Sequence, residues 1–199
     1  MNIKKFAVDS LEESSSVKLK MIEHCVDDLV SAVRLLCESY KNGNKLLLCG
    51  NGGSAADCQH IATEFMIRLN HNINRPALGA IALTTDSSNL TAGGNDIGFD
   101  NVFARNVEGL GAPGDVLLAI STSGNSMNVV KAVEAAKKKN MKVIGLLGGS
   151  GGKLKEMVDV AVVIPSHNVQ RIQEGHIASA HILCEGVETE LYGKWLFGH

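Results

Sequence analysis

A rhythm that begins at residue 45 restricts the fold of this chain more than any other feature. Short, almost continuously apolar runs (Lys45–Cys49, Gly79–Leu83, Asp115–Ile120, Lys142–Leu147 and Val160–Ile164) alternate with stretches of helical pattern. Runs this short and this apolar suit strands covered on both faces, as in a parallel sheet. Parallel neighbours need crossover connections. The segments Ser54–Leu69, Ser87–Ala92, Phe99–Gly109, Ser126–Asn140, Lys153–Val158 and Val169–Tyr192 supply helices between and after the strands. The expected architecture is α/β, a doubly wound five-stranded parallel sheet flanked by helices.

Residues 8–41 follow another pattern. They read as helix with a break near His24, and Val26, Leu29, Val30, Val33, Leu36 and Cys37 recur at helical spacing before Gly43 closes the run. With no strand among them, residues 1–43 are expected to form an N-terminal helical arm on a single domain spanning 1–199. The arm's apolar face needs a cover, either the main domain or another subunit.

Composition narrows the function. Nineteen basic against twenty-one acidic residues give a net charge of −2, which argues against nucleic acid held by bulk charge. The N-terminus lacks the apolar core of a signal peptide, and no apolar run approaches the ~20 residues of a membrane span. Five cysteines without a CxxC pair (25, 37, 49, 58 and 184) read as free thiols of a reducing compartment. The expectation is a soluble, cytoplasmic protein. Lys137–Lys139 reads as a solvated face at a helix end, and Tyr192 and Trp195 as packing residues.

Four motifs could carry chemistry. Cys49-Gly50-Asn51-Gly52-Gly53-Ser54 follows the first strand, where open α/β sheets bind ligands. It is neither a dinucleotide fingerprint nor a Walker loop. It reads equally as a ligand loop or as a turn with Ser54 as N-cap. Ser121-Thr122-Ser123-Gly124-Asn125-Ser126 follows the third strand and sets four hydroxyls before a helix. With no lysine, it suits a sugar phosphate held by neutral donors at a positive helix end. The plainer reading is that Ser123 or Ser126 caps the helix. Asp57, His60, Glu64 and Arg68 share one helical face, as a solvent stripe or as a pocket in which His60 and Glu64 bind a metal or divide acid and base roles. On the last helix, Arg171, Gln173, Glu174, His176 and His181 cluster, and Gln173 and His181 differ by about 80° around the axis, so both can face one pocket. Gly93-Gly94-Asn95-Asp96 reads as a turn that sets a carboxylate at the sheet's rim, and Gly148–Gly152 as a flexible turn.

Together CGNGGSAADCQHIATEF (49–65), GGNDIGFDNVFAR (93–105), ISTSGNSMNVVKA (120–132) and RIQEGHIASAHIL (171–183) resemble the phosphoheptose isomerases, a branch of the sugar isomerase (SIS) family. The resemblance implies the SIS fold and a homotetramer built through the helical arm, with sites completed by neighbouring subunits. It implies conversion of sedoheptulose 7-phosphate to D-glycero-D-manno-heptose 7-phosphate, which feeds heptose into bacterial surface polysaccharide. By the same resemblance Glu64 is the catalytic base and His181 its acid/base partner. Asn51, Gly52, Gly53, Ser54, Glu64, Arg68, Asn95, Asp96, Ser121, Thr122, Ser123, Ser126 and Gln173 contact substrate. His60, Glu64, Gln173 and His181 are the set through which some members bind zinc. The rivals are a non-catalytic sugar-phosphate-binding SIS regulator, a replication-initiator scaffold, or a SIS isomerase for another sugar phosphate. The sequence departs from the family pattern at Val169-Gln170, before the arginine, and in the loop Asn70–Arg75. Both departures are expected to bear on substrate stereochemistry or on the onward pathway, and neither removes a catalytic residue.

Overall fold

In a computed structural model describing residues 2–193, the five apolar runs become strands β1 (Leu46–Cys49), β2 (Ala80–Ala82), β3 (Val116–Ser121), β4 (Lys142–Gly148) and β5 (Val160–Ile164). All pairings are parallel and the order is β2-β1-β3-β4-β5. The expected fold class is borne out. Successive residues alternate between the faces of the sheet. Leu46, Leu48, Val116, Leu118, Ile120, Ile144 and Leu146 enter one core, and Leu47, Cys49, Leu117, Ala119, Val143 and Leu147 the other.

The first core is roofed by α1 (Ile3–His24), α2 (Val26–Lys41), α3 (Gly53–Met66) and α7 (Val169–Tyr192). The second lies under α5 (Val102–Leu110) and α6 (Met127–Lys138), with α4 (Ser87–Asp96) at its margin. Short 3₁₀ turns at Phe99–Asn101 and Lys153–Glu156 complete the connections.

Three boundaries differ from those the sequence suggests. Helix α1 starts at Ile3 because the Asn2 side chain accepts from the Lys5 amide and caps it. Residues 93–96, expected as a turn, form the last turn of α4. A Cβ on Gly93 would press on Val102, so glycine there allows close helix packing rather than a chain reversal. Helix α3 stops at Met66, short of Leu69, so Arg68 leaves the face it was expected to share.

The break between α1 and α2 falls at Cys25, which is buried and whose thiol lies 3.4 Å from the Val163 carbonyl oxygen. All five cysteines are free and buried. Among the described residues no helix is long and apolar enough to cross a membrane. Trp195 lies outside the described residues.

Candidate functional site

The strand order places the topological switch between β1 and β3. The chain leaves β1 for α3 on one face of the sheet and β3 for α6 on the other. A crevice opens where such connections diverge, and both glycine-rich loops stand at it. They are tied by a reciprocal amide pair. Asn51 Nδ2 donates to Asn128 Oδ1 at 2.9 Å, and Asn128 Nδ2 donates back to Asn51 Oδ1 at 2.8 Å. Gly52 occupies the N-cap position of α3 with φ 55°, a left-handed conformation that disfavours a side chain. Ser54, considered as a cap, lies buried inside the first turn.

In the second loop Ser121 Oγ and Ser126 Oγ pair at 3.1 Å, and Ser123 Oγ accepts from the Asn125 amide at 3.2 Å. Ser126 occupies the N-cap position of α6, but neither its side chain nor that of Ser123 makes a capping bond to the helix. The serine hydroxyls bond within the loop. The loop itself rests on the turn after β4, because the Gly124 carbonyl accepts from Leu154 N and Asn125 Oδ1 accepts from Lys153 N, both at 3.0 Å. Thr122 and Ser123 line a cavity of about 270 Å³ together with Ser150 and His167.

Helices α3 and α7 run side by side and meet at successive levels. At the first, Gln173 lies so close to Gly53 that a Cβ there would collide with its amide. At the second, His60 Nε2 lies 3.0 Å from Glu64 Oε1 and 3.5 Å from His181 Nε2. The two imidazoles meet edge to face with ring centres 5.2 Å apart. The Glu64 side chain is 19% exposed against 45% for His60, so the carboxylate sits at the base of the group. A ring nitrogen carries either one proton or one lone pair. His60 Nε2 can donate to Glu64 but cannot also donate to His181. Asp57, one turn before His60, has a buried Oδ2 without a hydrogen-bond partner. Burial pushes its carboxyl up, partly offset by the charge of His60. Asp57 was legible only as a member of a helical face.

Other flagged residues stand elsewhere. Arg68 is exposed beyond the end of α3 and, among the described residues, makes no hydrogen bond or ion pair. Asn95 and Asp96 bond to each other at 2.7 Å on the exposed end of α4. Arg171 pairs with Glu174 at 3.0 Å and donates to the Ser10 carbonyl, anchoring α1. His176 is wholly buried and donates from Nε2 to the Leu147 carbonyl at 3.0 Å, and burial lowers its pKa to about 4, so it is a neutral core residue. Sequence reasoning missed Asn128, and also Arg75 and Glu188, a pair of buried charges behind Glu64.

Zinc is implied only by resemblance. The donor chemistry fits. Three Lewis bases gather about His60, whose Nε2 lies 3.0 Å from the Glu64 carboxylate and 3.5 Å from the His181 imidazole, with the Asp57 carboxyl one turn earlier on α3. Among the described residues, however, no three His, Cys, Asp or Glu side chains already form a metal-holding group.

Comparison with known proteins places these features in context. Residues 11–148 match the family model of the SIS domain. A phosphoheptose isomerase of Chlorobaculum tepidum is 51% identical over 176 residues, covering 88% of this chain and 84% of that protein. The solved phosphoheptose isomerase of Neisseria gonorrhoeae superposes with a TM-score of 0.88 at 43% identity, over 94% of this chain and all of that one. The phosphoheptose isomerase of Francisella tularensis gives 0.91 at 38% identity, over 95% of this chain and all of that one.

Proposed function

The chain belongs to the SIS family, in its phosphoheptose isomerase branch, and is therefore an isomerase; from that premise we propose that it converts sedoheptulose 7-phosphate to D-glycero-D-manno-heptose 7-phosphate. The observation that carries the reading is the meeting of Glu64, His60 and His181 from two helices beside the crevice.

Moving a carbonyl from C2 to C1 requires a proton to leave C1 and one to arrive at C2, by way of an enediol. Carbon acids are weak, so the base must be close and oriented. Glu64 has the reach and partial burial for that task. The sugar oxygens need a group that can both give and take a proton. The imidazole of His181 carries both a donor and an acceptor nitrogen, and His60 lies between it and the carboxylate. Each such role is typically worth ~10²–10⁴ in rate. At the other end of the substrate, the hydroxyls of Ser121, Thr122, Ser123 and Ser126 and the start of α6 offer neutral donors to a phosphate. Asn51 and Gln173 border the sugar between them.

Zinc, where bound, would be held by His60, Glu64, Gln173 and His181 and would polarise the carbonyl as a Lewis acid. A Glu64 carboxylate engaged that way keeps less affinity for a proton from carbon. The two uses of Glu64 therefore compete.

The same reading assigns residues 1–43 to a homotetramer interface in a cytoplasmic enzyme that supplies heptose for surface polysaccharide. Ile3, Phe6, Leu11, Leu19 and Ile22 project from α1 into solvent. A groove of about 520 Å³ between α2 and α7 is lined by Val26, Val30, Val33 and Ile182. Both are the kind of surface a further chain covers.

The reading is tested by incubating the purified protein with sedoheptulose 7-phosphate and following the aldose anomeric proton by NMR, before and after chelation. Growth of the aldose signal is expected. Its absence under both conditions, with the sugar phosphate bound, would leave a binding protein of the same fold.

A further inference from the structure

Arg75 and Glu188 take no part in the scheme above, yet both side chains have no solvent exposure and Arg75 Nε meets Glu188 Oε1 at 2.8 Å. A pair buried this deeply is weak evidence of stability as such, because desolvation offsets its attraction. Its geometry is more informative. Arg75 Nη2 donates to the Glu64 carbonyl at 2.7 Å and Nη1 to the Phe65 carbonyl at 2.8 Å. These belong to the last turn of α3, whose carbonyls lack a following turn to bond them. Glu188 accepts the Leu69 and Asn70 amides, one on each oxygen, both at 3.0 Å.

The clamp therefore grips the backbone of Glu64 itself on one helix. On the other it holds Glu188, seven residues after His181 and within about 20° of the same face. A slip of α7 along α3 by one residue, about 1.5 Å, would break these bonds and draw His181 away from His60 and Glu64. We propose that Arg75 and Glu188 are positioning residues that set the register of α7 on α3, and so the approach of His181 to Glu64. The proposal rests on the isomerase reading above.

Arg75→Lys tests it. Lysine keeps the cation beside Glu188 but cannot offer a planar fork to two carbonyls. The full-length variant is expected to melt cooperatively and to lose at least about tenfold in kcat with KM within about twofold, since an ångström of misplacement can cost on the order of 10²-fold. Glu188→Asp, pulling from the other helix, should give the same split. In both, the ring ¹⁵N resonances of His60 and His181 should shift. Asp115→Asn, which breaks the distant Lys45–Asp115 pair, should lower stability without moving them. Wild-type kcat and unmoved resonances in either folded variant would overturn the proposal. So would failure of both variants to fold, which would make the pair a stability element only. A wild-type protein without turnover would sink the isomerase reading instead, and the ring resonances would still decide the register claim.

Discussion

Asn51 and Asn128 illustrate how single side chains build this site. Each amide satisfies the other, so truncating either leaves a polar group with its partner removed inside the crevice. Asn51→Ala and Asn128→Ala should each cost about 1–3 kcal/mol, and the double variant clearly less than their sum. A double-mutant cycle in urea measures this, and strict additivity would contradict it. The sequence made Asn51 visible because it sits in a glycine-rich loop. It hid Asn128, which looks like an ordinary first-turn helix residue. Arg75 and Glu188 were hidden for a different reason. They are 113 positions apart, and a charge meant for burial is indistinguishable in sequence from one meant for water. The serine hydroxyls were legible as a cluster, but whether they cap α6 or bond one another depends on the loop's path around Gly124.

At the scale of elements, the strands were readable because both their faces are buried and nearly every residue in them is apolar. Boundaries set by tertiary contacts were not. Gly93 looks like a helix breaker until Val102 closes on it, and α3 ends early because Glu188 captures the amides just beyond it. Helix α7 also makes a pH-dependent claim. His176, held neutral against β4 with its pKa lowered from 6.5 to about 4, contributes stability that is fully present above pH 6.5. As pH falls, the unfolded ring takes up its proton first. Stability is then lost toward pH 4, on the order of 3 kcal/mol from this group. Urea unfolding at pH 7.5 and pH 4.5 should show His176→Gln losing less stability between the two than the wild type. An equal loss in both proteins would remove His176 from the acid response.

For the whole molecule, the helical arm is where one chain is least self-sufficient. Of α1, only Val17 and Met21 are buried, while a line of apolar side chains remains exposed. If the arm builds the proposed tetramer, light scattering should give the mass of four chains for the wild type and smaller species for Phe6→Glu with Leu11→Glu. A wild-type monomer, or an unchanged tetramer in the variant, would contradict the assignment of the arm. The crevice, the hydroxyl loop and the Glu64–His60–His181 group belong to the single chain. The account requires that they act together on one sugar phosphate. That requirement is met or broken by one measurement, the isomerisation of sedoheptulose 7-phosphate in D₂O by wild type, Glu64→Gln and His181→Gln. The account predicts an aldose carrying deuterium at C2 from the wild type. It predicts neither turnover nor deuterium uptake from Glu64→Gln, in a protein that still folds and binds the sugar phosphate. His181→Gln should fall by at least about 10² in rate. Near-normal turnover in Glu64→Gln would show that the proton leaves carbon by another group.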